Sequence, residues 1–164
     1  MDINKESAEL IKILAMNLEK WINSNNISKR KLARLSNISE STVRSIINGS
    51  QNIELATLVK LKLSFNVDIS FLFTVNEKIP TIITTPLSKK IIDKAISKQT
   101  NLIGFRIASL MRSQNIKPED LSILAFNTDY SDTLKYMKGM INLTLITILK
   151  FSRALNVDKS ELLK

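Results

Sequence analysis

Lys29, Arg30, Lys31 and Arg34 place four cations within six residues, and no acid interrupts them. Such a run can neutralise phosphates, each contact adding about 0.9 to the slope of log affinity against log salt. A solvated helix face carries the same pattern. Just beyond stand Ser39, Glu40, Ser41, Thr42 and Arg44. Arg44 suits a bidentate pair with guanine, Glu40 can accept from cytosine N4, Thr42 can touch a thymine methyl, and Ser41 can bond to either kind of edge. Glu40 equally suits a helix N-terminus, where the macrodipole favours negative charge. Asn48, Ser50, Gln51 and Asn52 follow, polar side chains fitted to phosphate oxygens. Gly49 among them is the residue expected where a helix ends in a left-handed turn.

Other chemistries are excluded by composition. The 164 residues contain no Cys and no His, so there is no disulfide, thiolate nucleophile, imidazole base or ordinary zinc ligand. No base oriented by a third group accompanies any Ser or Lys, so neither an enzyme nor a cofactor is expected. Lys and Arg number 24 against 15 Asp and Glu, a net charge of +9, which favours an anionic partner such as nucleic acid. The N-terminus lacks the basic segment and apolar core of a secretory signal. No uncharged stretch approaches the roughly 20 residues of a membrane span. A cytoplasmic protein with no membrane partner is expected.

The elements that must position these residues are helices. Gly and Pro number only three each, leaving few tight turns and no phosphate-cradling loop. Leu10, Leu14, Leu18 and Trp21 recur at helical spacing and predict a first helix over 7–25, with Trp21 in the core rather than a base-stacking platform. Ser28 caps a second helix ending at Ser36, Ser39 caps a third ending at Asn48, a fourth runs from Glu54 to Phe65, and Asp68 caps a fifth. Only Asn37, tolerant of left-handed backbone, and Ile38 separate the second and third helices. So tight a junction makes a helix-turn-helix, in which the first helix braces the backbone and the second enters the major groove.

Residues 27–72 carry Leu32-Ala33, Asn37-Ile38-Ser39, Ser41-Thr42-Val43, Asn48-Gly49, Asn52, Leu55, Thr57-Leu58 and Asn66-Val67. In these positions the sequence resembles the Xre and Cro/repressor type of DNA-binding domain. It departs at Lys29, where that family commonly has Gln, and at Asn37, where it commonly has Gly. The resemblance implies phosphate contact from the start of the second helix, at Lys29 and Arg30, with Ser39, Asn48, Ser50 and Asn52 also on the backbone. It implies base reading by Glu40, Ser41, Thr42 and Arg44. The partner implied is double-stranded DNA, and the function a sequence-specific transcriptional regulator acting by occupancy, most simply as a repressor. An antitoxin-like or antirepressor-like protein-interaction module on the same fold is the alternative.

Residues 18–72 also align with 107–162, at an offset of 89 early and 90 late. Asn26-Ile27 falls over Asn115-Ile116, Leu32 over Leu121, Gly49 over Gly139, Asn52 over Asn142, Leu55 over Leu145, and Asn66-Val67-Asp68 over Asn156-Val157-Asp158. The fold class expected is all-α: two tandem five-helix, lambda-repressor-like domains, 1–75 and 101–164, with a connector over 76–100. The second copy has Glu119 and Asp120 where the first is basic, and Asp129 and Asp132 in the segment matching the third helix. It is expected to serve dimerisation or a protein partner, with Lys135 and Lys138 leaving backbone contact open. In that copy Tyr130, Leu134 and Met137 are expected as the apolar stripe.

Leu63, Phe71 and Phe73 are apolar where the family is usually polar, and Val75 continues the patch. They predict an interface, either between the copies or in a homodimer. In the connector, Thr81 to Thr85 followed by Pro86 predicts an extended segment or short strand. Pro86 is expected to open a helix over 87–99 whose Lys90, Lys94 and Lys98 form a stripe, either along phosphates or solvated.

Overall fold

The computed structural model describes residues 2–49, 52–75, 77–126 and 130–164, and among these every regular element is helical. In chain order they are α1 (Ile3–Ser24), α2 (Lys29–Ser36), α3 (Glu40–Ile47), α4 (Leu55–Phe65), α5 (Ile69–Leu72), α6 (Lys89–Ser113), α7 (Pro118–Phe126), α8 (Ser131–Met137), α9 (Leu145–Ala154) and α10 (Ser160–Leu163). Ser50, Gln51 and Asp129 lie outside the described residues.

Local chemistry sets most boundaries. Ser28 Oγ accepts from Lys31 N at 3.0 Å and Ser39 Oγ from Thr42 N at 3.0 Å, each satisfying a backbone donor that the helix start leaves unpaired. Asn37 takes φ 52° and ψ 46° between α2 and α3, and Gly49 takes φ 69° after α3. The asparagines Asn26, Asn66, Asn115 and Asn156 hold the same left-handed backbone at other turns. They recur at the offsets of the sequence alignment. Asp68 precedes α5 but makes no side-chain cap bond, and α1 begins at Ile3, earlier than expected, because Asp2 accepts from Asn4 N.

Two forms were open for the connector, an extended segment or a short strand. It forms no strand: Ile82 N donates to Asn25 Oδ1 at 3.0 Å and Ile83 N to the Ser64 carbonyl at 2.9 Å, so its backbone groups are satisfied singly by α1 and α4. Asn25 Nδ2 also reaches the Pro80 carbonyl at 3.0 Å. Pro86 does not open a helix. Ser88 caps α6, and the basic stretch continues unbroken into the helix expected to start the second copy. Position 100/101 therefore lies mid-helix, with Gln99 and Thr100 buried and Lys90, Lys94 and Lys98 on the exposed side.

One hydrophobic core joins the N-terminal half, α1–α5, to the C-terminal half, α6–α10. Trp21, fully buried, meets Phe65 at a tilt with ring centres 5.0 Å apart and stacks on Phe71 at 5.8 Å, while Phe126, Tyr136 and Phe151 cluster in the C-terminal half. Leu63, Phe71 and Phe73 are half-buried against this core, and α5 touches α10; Val75 remains 73% exposed. The halves meet through α4 on α6 and α1 on α9. Between them Glu54 and Thr144 form an antiparallel bridge, with Leu55 N on the Leu143 carbonyl at 2.7 Å and Leu145 N on the Ile53 carbonyl at 2.8 Å. At the far side the Glu6 carboxylate takes Arg153 at 3.0 Å and Lys159 at 3.4 Å.

Candidate nucleic-acid interface

The short turn at Asn37 and Ile38 sets α2 against α3, and each helix turns one face to the core. Leu32, Ala33, Leu35 and Ser36 of α2, and Val43 and Ile46 of α3, are buried. Helical periodicity then fixes what faces outward. On α2 these are Arg30, Lys31 and Arg34, with Lys29 half-buried at the start. On α3 they are Ser41 and Arg44, with the half-buried Glu40 at the same edge and the exposed Asn48 at its end. Cations and polar groups are thus brought to the outer side of adjoining helices. No acid on α2 opposes them.

Within this surface several side chains already hold one another. Arg44 Nη2 and Nε bond to Glu40 Oε1 at 2.6 and 3.1 Å, an i,i+4 pair whose side chains are 60% and 38% exposed. Ser39 Oγ lies 2.9 Å from Ser41 Oγ and 2.7 Å from Thr42 Oγ1, so three hydroxyls cluster over the first turn of α3. Thr42 is half-buried and lines a small pocket with Ile46, Ile53 and Thr57. Asn48 closes α3, its N–H on the Arg44 carbonyl.

Asn52 differs from expectation. Its Oδ1 faces the C-terminal half and accepts from Ile146 N at 3.4 Å. Asn142, aligned with it in the sequence, donates to Glu54 Oε2 at 2.9 Å. Both polar groups mark the seam between the halves, a tertiary role that spacing along one copy cannot reveal. Ser50, also expected on phosphate, lies outside the described residues.

A helix-turn-helix family model matches residues 18–72. Those residues form a helix-turn-helix domain of the Xre and Cro/repressor type. A domain of that type suggests DNA-binding transcription regulation, with double-stranded DNA as the partner. The match takes in α2, α3, α4, α5 and the end of α1, so all the side chains described above except those of the C-terminal half belong to the helix-turn-helix domain. No curated protein and no solved structure matches the chain. No helix among the described residues is long and apolar enough to cross a membrane.

The corresponding segment of the C-terminal half is built differently. Thr133, matching Val43, is buried and its Oγ1 accepts from Ser122 Oγ at 2.6 Å. The apolar stripe is only partly the expected one: Met137 packs inward, but Tyr130 is 43% exposed, and Tyr136 packs inward beside the buried Thr133. Gly104 lets α6 run against the end of α8, since a Cβ there would meet the Met137 carbonyl. The outer edge of α8 carries Ser131, Asp132, Lys135 and Lys138, with Lys135 and Asp132 paired at 2.9 Å.

Proposed function

We propose that the chain is a sequence-specific transcriptional repressor that acts by occupying an operator. Residues 1–75 are its DNA-binding domain and 101–164 a divergent tandem copy, joined by the connector over 76–100. The observation that carries this reading is the exposed edge of α3, Glu40, Ser41, Arg44 and Asn48, beside the outward cations of α2. α3 lies in the major groove, Arg44 and Glu40 read base edges, Ser41 and Thr42 adjust to them, and Lys29, Arg30, Ser39 and Asn48 hold phosphates. The Glu40 pair does not prevent Arg44 from reading. An exposed i,i+4 pair contributes about 0.3–0.5 kcal/mol, whereas a bidentate guanine contact discriminates by roughly 1–3 kcal/mol.

The test is selection of random duplex DNA by the intact chain, followed by the same selection with Arg44→Gln. A defined motif that loses its preference at one position in the variant supports the reading. Equal recovery of all sequences at moderate salt would overturn it. A protein-interaction module is the second reading, favoured by Ile123 and Leu124, about 60% exposed on α7. Stoichiometric binding to a protein, without DNA preference, would establish it instead.

A further inference from the structure

Contacts between and within the halves come in matched pairs. With α1 matched to α6, α2 to α7, α3 to α8, α4 to α9 and α5 to α10, the packing of α4 on α6 is the image of α9 on α1. The contact of α5 with α10 is its own image. The same holds at the bridge, where Leu55 N to the Leu143 carbonyl and Leu145 N to the Ile53 carbonyl exchange under an offset of 90. Side chains follow in places. Asn17 Nδ2 ties the Leu72 and Thr74 carbonyls at 2.9 Å each, and Arg106, its match, ties the carbonyls of Leu162 and Lys164. These exchanges define a two-fold axis inside one chain, passing by Glu54 and Thr144.

A two-fold rotation leaves height along its axis unchanged, so α3 and α8 stand at the same level on the same side of the molecule. Successive turns of one DNA face are about 34 Å apart, so binding across two turns would require each of these helices to lie about 17 Å from the axis. The C-terminal half is also no less basic: the excess of nine charges divides as three each in 1–75, 76–100 and 101–164.

We propose that α8 is a second DNA-contacting surface, and that a single chain spans two successive major-groove turns of an asymmetric operator. α3 reads bases in one half-site. α8, whose outer edge offers Ser131, Lys135 and Lys138 but also Asp132, holds phosphates in the other without a full set of base-reading groups. The pairing that a homodimer would provide is then internal to the chain. This inference rests on the proposed DNA-binding function.

The test uses the intact chain and the duplex that it enriches from a random pool. One chain per duplex is expected, with base preference in one half-site and hydroxyl-radical protection of the backbone continuing about one turn, 10 base pairs, away. Lys135→Gln/Lys138→Gln should remove only the distal protection. If each lysine holds one phosphate, the salt slope falls by about 1.8, so the loss of affinity between 50 and 200 mM salt becomes about twelvefold smaller. Protection confined to the enriched half-site, a slope unchanged in this variant, or two chains on mirror-image half-sites would overturn the proposal and leave the DNA-binding function standing. Failure to enrich any sequence, together with an unchanged slope in Arg30→Gln/Lys31→Gln, would overturn that function itself.

Discussion

Gly104→Ala separates helix propensity from tertiary packing. In an unconstrained helix interior this change stabilises by about 0.8–1 kcal/mol. Here the added Cβ would lie 2.9 Å from the Met137 carbonyl carbon, closer still to its oxygen, and 3.1 Å from the Tyr136 carbonyl oxygen. Those are backbone atoms at the end of α8, so no rotamer change relieves the overlap, and α6 and α8 must move apart. Inserting a methyl into a packed contact costs about 1–3 kcal/mol, and against backbone the upper end applies. The net is a loss of about 2 kcal/mol. At roughly 2–4 °C per kcal/mol for a chain of this size, Tm falls by about 4–8 °C. Thermal unfolding followed by circular dichroism measures it. Gly49→Ala is the control, because its Cβ meets nothing within 4 Å and only the φ of 69° is strained, so its loss should be about 1–2 kcal/mol. A rise in Tm for Gly104→Ala, the behaviour of an ordinary helix glycine, would refute the close approach of α6 and α8.

Ser39→Ala removes the α3 cap and should lower stability by about 0.5–2 kcal/mol, read from the urea midpoint at unchanged m-value; no shift would mean that the hydroxyl cluster does not hold the helix start. Glu6→Gln should weaken the clamp to Arg153 and Lys159 by at most about 1 kcal/mol, with the difference in Tm shrinking at 1 M salt; a salt-independent loss would point to packing instead. Asp158 has its carboxyl held below the ordinary range, first by the Ser160 side chain and then by Ser160 N and the nearby Lys159 and Lys164. A lowered acid pKa stabilises the fold above its unfolded value, about 3.9, and the contribution disappears as pH falls through the folded value. Asp158→Asn should therefore reduce the acid dependence of Tm below about pH 4, and identical pH profiles would count against the bond.

What was legible in the sequence was local. Ser28, Ser39, Asn37 and Gly49 act on backbone within a few residues of themselves, and the helix ends follow them closely. Trp21 was legible as core because the stripe of Leu10, Leu14 and Leu18 fixes its face. The start of α6 was misjudged because Pro86 and Ser88 both suit a helix N-terminus, and only the bond from Ile91 N to Ser88 Oγ distinguishes them. The Glu40–Arg44 pair is visible as an i,i+4 spacing, but spacing alone does not tell a pair within the helix from two separate base contacts. Asn52 was beyond reach. Its oxygen meets a backbone group 94 positions away, and nothing in the nearby sequence encodes that neighbour. The stripe of α8 was misplaced because a buried threonine, paired with Ser122, replaces the aliphatic residue that hydropathy seeks.

The seam at Ile53 to Leu55 has a consequence for synthesis. Its backbone partners stand 88 and 92 positions further along the chain, and the partners of Glu6 stand about 150 further. At roughly 5–20 residues per second, the ribosome needs about 4–18 s after Leu55 to deliver Leu143. During that interval the nascent helix-turn-helix exists without its counterpart, its seam open to solvent and to neighbouring nascent chains. Translation order thus leaves the half that carries the helix-turn-helix waiting longest for the contacts that complete it.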